Sequence, residues 1–578
     1  LLPWLLVVGL SILNLRQVFQ LGVNDDAYIT YRVARNLALG HGPVFNPGER
    51  VLTITNPGYM LLLALLSPFS QDFVFLGLVL NGLALLALGA LLIDLSASRE
   101  QGTPDQRKAL SSLHRWLPAT IAVMLVFAHP LLSSAIGMET PLYMAVILAT
   151  FAAYRRALLD RTGSDRWLVW TAVAAALAFL IRPDGLLVGI AVGLHWLFTR
   201  RRVPWRALAV GLALSLPWLL FAWIYYGSPI PNTLAAKSTQ VLGTVPSWGQ
   251  QLLTTISQWS VTHPWAAGLA VVGVVAALVE RRGERLAMLT WFVIYVVGHS
   301  LLEVRSYFWY YVPLLPIAAL LAGDGAMVLM IWLTRRVAGE KAGSTKVVVL
   351  GGLLASLFLV LTLIPVAEPA AVLAEEVMLM RRNAAHSRTA AVLLPLCAQE
   401  DMSLGVAEVG LLGYASDCPI VDFSGLLQRD LAHLALSPVD KFAWAIKSYG
   451  PELVVLSGAS GYPNMIADAP WFRSRYVLVD SQEERGFHSV IYRRTVGPAR
   501  QLSLPRAVWW RTDRPAHILG QGGPVVAELE FAVQSTQSIT LHAYLPPDST
   551  LAVSANGQPV ATLAGQAPAW RDLRLEDI

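Results

Sequence analysis

The sequence predicts a polytopic α-helical membrane protein carrying two extracytoplasmic modules at its C-terminal end, one α/β and one β-sandwich-like. Three observations predict it. Of 578 residues, 55% are hydrophobic and only 14% charged, with mean hydropathy +0.53, whereas a soluble domain carries about a quarter charged residues. Apolar runs of bilayer-crossing length, about 17–25 residues, recur up to residue 366. Lys and Arg concentrate in alternate loops between those runs, as the positive-inside rule requires.

The runs fall near 1–21, 73–95, 116–134, 139–157, 166–181, 185–199, 206–226, 264–280, 286–302, 308–332 and 346–366, about eleven spans. No basic stretch precedes the first. It is therefore expected to be a retained span rather than a cleaved signal peptide, with the N-terminus clipped. The stretch 57–69 is apolar but short and opens on Asn56-Pro57-Gly58, so it is read as an interfacial or re-entrant helix. Loop charges test that choice. Loops 96–115, 155–166, 200–206, 280–285 and 333–346 hold nineteen Lys/Arg against seven Asp/Glu. Loops 22–72, 135–140, 182–184, 227–263 and 303–306 hold six against seven. The alternation survives only if 57–69 does not cross. Basic loops then face the cytoplasm, while loop 22–72 and residues beyond 367 face outward. The formal net charge of +5 is this loop asymmetry and implies no nucleic-acid partner.

Residues 1–368 thus form the transmembrane domain. From 369 a polar helical stretch, AEEVMLMRRNAAHSR, is followed by short apolar runs between turns: SLGVAEVG, CPIVDFSG, PELVVLSG and FHSVIYRR. Strands alternating with helices make 369–498 a small α/β domain. Over 499–578, VVAELEFAV, SITLHAYLP and LAVSANGQPVATL read as strands, the last turning at Asn556-Gly557. That β-rich module is either carbohydrate-binding-like or a packing module, read as cut short at Ile578. Cys397 and Cys418 both fall in the tail. They form one disulfide, if that part is outside the cell, or stay as two buried thiols.

Every unusual polar cluster lies on the outward side. Asp25-Asp26 follows the first span directly, and carboxylates at a lipid-embedded helix end are costly unless a metal, a cation or a substrate occupies them. Tyr28, Tyr31, Arg32 and Arg35 recur at helical spacing after the pair, as on a helix lying flat at the interface. A carboxylate in a partly dry pocket has its pKa raised and suits a general base. The bland alternative has one aspartate capping the helix and the other paired with Arg32 or Arg35. Glu139 opens a span and is either a third functional carboxylate or a residue favoured by the helix dipole. Three carboxylates on one face could hold a divalent cation through oxygen ligands, although no spacing demands one. Arg182-Pro183-Asp184-Gly185 interrupts an apolar stretch and reads first as a structural pair at a helix break. Lys237 and Arg305 could neutralise an anionic phosphate, or simply snorkel at the outer interface. The run 307–311, Tyr-Phe-Trp-Tyr-Tyr, reads as an aromatic belt before a sugar platform. Walker, GxGxxG, metal-spaced Cys/His and Ser/His/Asp patterns are missing from the sequence, which removes support for ATP-driven transport and nucleotide cofactors.

In the order NDDAYITYRVARNLALGHGPVFNPGE, TNPGY, GMETPLY, RPDG, YYGSPIPNTLAAK and GLLGYASDCPIVDFSGL, the chain resembles the polytopic GT-C glycosyltransferases. Within them it is most similar to the branch of the actinobacterial terminal arabinofuranosyltransferases, over most of residues 22–430. The resemblance implies a bacterial inner-membrane enzyme with an extracytoplasmic active site. It implies a polyprenyl-phosphate sugar donor, a cell-envelope glycan acceptor, an inverting single displacement, and a first-loop aspartate as base. Asp25 and Asp26 occupy the family's acidic pair, Glu139 its Gly-x-Glu position, and Lys237 the basic position after Pro-Asn-Thr. Arg305, Arg182, Asp184, Tyr28, Arg32, Asn232 and Glu303 complete the expected substrate-binding set. Where relatives often carry a Gly-Tyr-Thr-Asn-Pro-Leu-Trp type sequence, this chain has Thr53-Ile54-Thr55-Asn56-Pro57-Gly58. Arabinofuranose therefore leads without excluding a mannosyl- or hexosyltransferase acting on glycan, lipid or protein. A lipid-sugar transporter is the rival from another class, but it should show internal repeats and charges near the midplane.

Overall fold

The computed structural model describes residues 1–96, 111–239, 263–301, 307–338, 344–363, 370–400, 402–434, 436–458 and 462–495, short pieces around 249–253, and four strands within 539–575. Each apolar run forms a helix, among them Leu2–Leu21, Phe73–Ser96, Thr140–Leu159, Arg166–Ile181, Leu186–Arg200 and Trp205–Tyr226. Five described segments are long and apolar enough to cross a membrane: Leu2–Gln20, Phe73–Ser96, Thr140–Leu159, Trp205–Tyr226 and Phe308–Thr334. The last is 78% buried and Trp205–Tyr226 only 11%. So 308–334 runs through the middle of the bundle, and Trp205–Tyr226 presents apolar side chains outward, as a lipid-facing helix does. The remaining apolar helices are shorter, Pro57–Leu66 among them at 10 residues.

Small residues let the central helices approach backbone to backbone. A Cβ on Gly273 would lie 1.9 Å from the Leu321 carbonyl, and one on Gly325 1.9 Å from that of Leu269. Glycine is what the contact between Pro264–Val279 and Leu315–Ala338 requires. Nearby, the fully buried Arg285 donates to Asp324 at 2.6 Å and to the Leu95 carbonyl at 2.9 Å, with Arg282 3.0 Å from the same carboxylate. A buried charge is tolerable when paired and hydrogen-bonded in this way.

Beyond the bundle, the long helix Ala370–Glu400 carries the chain into a five-stranded sheet. Its strands are β1 (Leu404–Val406), β2 (Ile420–Asp422), β3 (Leu453–Gly458), β4 (Tyr476–Glu484) and β5 (Phe487–Arg494), in the order β2-β1-β3-β5-β4. β2, β1 and β3 run parallel, and β5 and β4 add antiparallel to them. β3 is apolar over Leu453–Leu456 and fully buried there, as a strand covered on both faces should be. The long helix packs on β4 and β5, where Thr389 donates to Ser489 at 2.8 Å. Four later strands, β6 (Ile539–Leu545), β7 (Thr550–Ala555), β8 (Gln558–Ala564) and β9 (Ala569–Leu575), form two antiparallel pairs, β6 with β9 and β7 with β8. Asn556-Gly557 and the stretch VVAELEFAV lie outside the described residues.

Of the two possibilities open for the cysteines, the structure has the disulfide: Cys397 and Cys418 are bonded across a sequence separation of 21. Closing a loop of that size stabilises by restricting the unfolded chain. Cys397→Ser with Cys418→Ser is expected to cost about 3 kcal/mol, read as a lower thermal midpoint under non-reducing conditions that matches the wild-type midpoint under reductant.

Candidate active site

Asn24, not an aspartate, caps the helix Asp25–Ala38, its side chain accepting from the Asp26 N–H at 3.1 Å. Both aspartates therefore occupy the first turn. Successive residues of a helix point about 100° apart, and the two carboxylates diverge accordingly.

Asp25 turns into the sheet module. The Gly410 and Leu411 N–H groups donate to its two oxygens at 3.0 and 2.8 Å, and its side chain is buried. A Cβ at position 410 would meet the Asp25 carbonyl at 1.9 Å, so glycine is required for this approach. Two turns on, Arg32 is 1% exposed. It donates to the carbonyls of Phe45 at 2.9 Å, Cys418 at 2.7 Å, and Gly413, and covers the Phe45 ring. Burial lowers its pKa to about 10. Tyr28 stacks edge-on against Tyr31 and packs on Tyr414. The expected partnerships of an aspartate with Arg32 or Arg35 do not form; Arg35 pairs with Asp417 at 2.6 Å. Asp25, expected in catalysis, and Tyr28 and Arg32, expected at the substrate, dock the helix onto the module. Asn232, also expected at the substrate, reaches the module as well: its amide donates to the Gly425 and Leu426 carbonyls at 2.9 Å each.

Asp26 points the other way, into a partly open cleft of about 540 Å³, the solvent at its mouth included. Thr30, Asn56, Glu139, Arg182, Thr233, Lys237, Trp309, Tyr310 and the module's Leu426 line it. Burial pushes the Asp26 carboxyl above the usual carboxylate range; Lys237 opposes this, and Asp25 and Glu139 add to it. Lys237 stands 4.0 Å from Asp26 and 3.5 Å from the Tyr310 hydroxyl. The rings of Tyr307, Trp309 and Tyr310 surround its ammonium with centroids at 4.8, 5.4 and 5.8 Å, a cation–π arrangement. Burial works against the charge on Lys237, but Tyr310, Asp26 and Tyr307 outweigh it and hold its pKa above the ordinary lysine value. Tyr307, Trp309 and Tyr310 thus form a cage for a cation.

Glu139 is held at the cleft's rear, accepting from the Asn56 amide at 2.8 Å and lying 3.6 Å from Arg182. Thr30 supports Asn56 from 2.9 Å. Arg182 grips Asp184 in two bonds of 3.2 and 3.1 Å and donates to the Trp309 carbonyl at 3.2 Å. The structural pairing expected for Arg182 and Asp184 is present, and the same guanidinium lines the cleft. Asp184 stands behind it, accepting from Tyr295 at 3.1 Å. Glu303 and Arg305 lie outside the described residues. The three carboxylates do not converge as a cation site would need: Asp25 is occupied by amides and Glu139 by Asn56 and Arg182. No group of three or more His, Cys, Asp or Glu among the described residues could hold a metal.

Thr30 was not anticipated as a cleft residue, whereas Trp309 and Tyr310 belong to the run read as a belt before a sugar platform. Asn56 was noted only in the short apolar helix start and the segment 53–58, and Leu426 only as the end of GLLGYASDCPIVDFSGL; it arrives from the distant module.

No family model matches the chain. It is 30% identical over 224 residues to a terminal β-(1→2)-arabinofuranosyltransferase of Mycobacterium tuberculosis, covering 37% of this chain and 35% of the relative. It is 28% identical over 237 residues to the enzyme so named in Corynebacterium glutamicum, covering 37% and 33%. The match thus spans about a third of the length of these relatives. The fold is similar to that of ArnT from Cupriavidus metallidurans bound to undecaprenyl phosphate, with TM-score 0.50 and 16% identity over 84% of this chain and 97% of that one. It is also similar to the Archaeoglobus fulgidus oligosaccharyltransferase tethered to an acceptor peptide, with TM-score 0.50 and 10% identity over 86% and 75%. The resemblance to GT-C glycosyltransferases therefore holds in sequence and in fold.

Asp25→Ala leaves two buried amides without acceptors, each worth about 1–3 kcal/mol. It should lower the thermal midpoint and expose the 401–435 region to limited proteolysis, and Asp25→Asn should do so less.

Proposed function

We propose that the chain is a multi-pass glycosyltransferase of the bacterial inner membrane, with eleven spans and its active site on the extracytoplasmic face. It moves a sugar, arabinofuranose first, from a polyprenyl-phosphate donor to a cell-envelope glycan. One observation carries the reading: Asp26 and the caged Lys237 face each other 4.0 Å apart in one cleft. The arabinofuranosyltransferase relatives support the sugar, and the lipid phosphate bound by ArnT supports the donor.

The step is an inverting single displacement. The acceptor oxygen forms its bond to the anomeric carbon as Asp26 takes its proton. The bond from that carbon to the phosphate oxygen breaks, and its electron pair leaves with the phosphate. Lys237 and Arg182 meet the charge that develops there, the larger contribution to lowering the barrier. A half-buried carboxylate with a raised pKa is a stronger base once ionised than an exposed one. Asp25 then positions Asp26 and does not itself accept the proton.

The test is transfer from a panel of radiolabelled polyprenyl-phosphate sugars, arabinofuranose and mannose included, to cell-envelope glycan, with and without chelator. Asp26→Asn is expected to lower transfer by about 10²–10⁴-fold while keeping the wild-type thermal midpoint. Unchanged transfer would move the base elsewhere, and loss on chelation would bring in a cation. The pH profile tests Lys237 separately. The base must be ionised, so the rate falls as pH drops through the Asp26 pKa. Lys237→Gln removes the cation that holds that pKa down, so the acid limb should move to higher pH, with a loss of about 10²–10³ in kcat.

A further inference from the structure

Three walls of the cleft come from distant parts of the chain, and Asn232 joins them. It opens the helix Asn232–Thr239, which brings Thr233 and, one turn later on the same face, Lys237 to the cleft. Its backbone N–H donates to the Leu52 carbonyl at 2.9 Å, at the head of the segment 53–56, whose four residues all line the cleft. Its side-chain amide donates to the carbonyls of Gly425 and Leu426, and Leu426 is the module's contribution to the same lining. Both hydrogens of the amide are spent on these carbonyls, so the group has no donor left for a sugar.

The loop that Asn232 grips is held in shape from within. Asp422, fully buried at the end of β2, accepts from the N–H groups of Ser424 at 2.7 Å, Leu427 at 3.1 Å, and Leu426. Gly425 turns the chain at φ +85°, where a Cβ would also lie 2.9 Å from the Ala432 nitrogen, so glycine is required there. Just past the loop, Arg429 donates to the Arg50 carbonyl at 2.9 Å and to that of Tyr226. The helix Asn232–Thr239 packs against Arg429–Ala432. A helix of 8 residues does not hold itself in place, and Lys237 hangs from it on a flexible four-carbon stem. The aromatic cage can grip the ammonium only where the helix delivers it, and the preformed loop is the stop against which that helix starts.

We infer that Asn232 is a positioning residue for the transfer, setting Lys237 and Leu426 in register across the cleft without itself meeting the substrate. The inference rests on the transferase reading above. A cation stabilises a departing phosphate best when it is in place before the charge develops, and a misplacement of about 1 Å costs about 10²-fold. An amide shared between two successive carbonyls fixes distance and direction together, which a single bond does not.

The test is a double-mutant cycle with Lys237→Gln in the detergent-solubilised full chain. It reads kcat for transfer and, separately, the Kd for undecaprenyl phosphate by titration calorimetry. Asn232→Leu and Asn232→Asp both remove the donors at nearly constant volume. Each should lower kcat by about 10–10²-fold and weaken undecaprenyl phosphate binding about tenfold, with the wild-type thermal midpoint kept in at least one of them. Made in the Lys237→Gln chain, the same changes should cost almost nothing more, because Asn232 acts through that ammonium. Asn232→Gln, which keeps both donors, should recover part of the loss. Wild-type kcat and Kd in both donorless variants, or losses that simply add to those of Lys237→Gln, would overturn the inference and leave the transferase reading standing. Coupling to Lys237 in phosphate binding, with no transfer from any donor, would keep Asn232 as the residue that positions Lys237 and overturn the transferase reading instead. Neither binding nor transfer by the intact chain would overturn both.

Discussion

The carboxylate of Asp25 against the backbone amides of Gly410 and Leu411 is the contact on which the rest of the site depends. It joins the helix Asp25–Ala38 to a module almost four hundred residues later in the chain, and it does so in a buried seam. A charge-assisted bond to an amide is roughly twice as strong as a neutral one, and its loss would strand both the donors and the charge. Arg32 repeats the arrangement with the signs reversed, placing a guanidinium among the carbonyls of Phe45, Gly413 and Cys418. Between them the two residues fix the helix in rotation and along its axis. Asp26 has no freedom left except to face the cleft.

That constraint explains how two neighbouring aspartates do different work. Alone at a membrane surface they would repel, and each would solvate. With Asp25 satisfied by amides, Asp26 keeps the partly desolvated position in which its proton affinity rises. The disulfide adds to the same geometry: Cys418, bonded to Cys397 of the long helix, is also the residue whose carbonyl receives Arg32. The long helix, the sheet module and the helix Asp25–Ala38 thus meet at one residue.

Much of this was legible in the sequence, and the limits have physical causes. The length of the apolar runs placed the helices, because in lipid each helix satisfies its own backbone and needs no partner to be recognised. Strands such as β3 and β5 were visible as short apolar runs between turns. The acidic pair, Glu139, Arg182 and Lys237 stood out as charges at the edges of spans, where charge is costly. What the sequence could not reveal was direction. Asp25 and Asp26 are equivalent in a string of letters, and only the packing of Gly410 tells them apart. Tyr28, Arg32 and Asn232 read as substrate contacts in the sequence, and each has a partner across the seam that the sequence does not announce. Leu426 stood in a quoted motif, but its place at the cleft follows only when the module folds back.

Polarity at the cleft's rear follows a single chain of charges. Glu139, Arg182 and Asp184 alternate in sign from the cleft wall inward, and the chain ends at the Tyr295 hydroxyl. A lone guanidinium at that depth would be expensive, and a carboxylate on each side offsets the cost. It also leaves Arg182 held on two sides, with its position set before any ligand arrives. A cation held in place needs no reorganisation when negative charge develops in front of it, which is the condition under which electrostatic stabilisation is most effective. Lys237 is fixed by different means, three aromatic faces and one hydroxyl. Both cations line the cleft together with two carboxylates. Among the described residues, Glu139 is taken up by Asn56 and Arg182, whereas Asp26 keeps an open side toward the cleft.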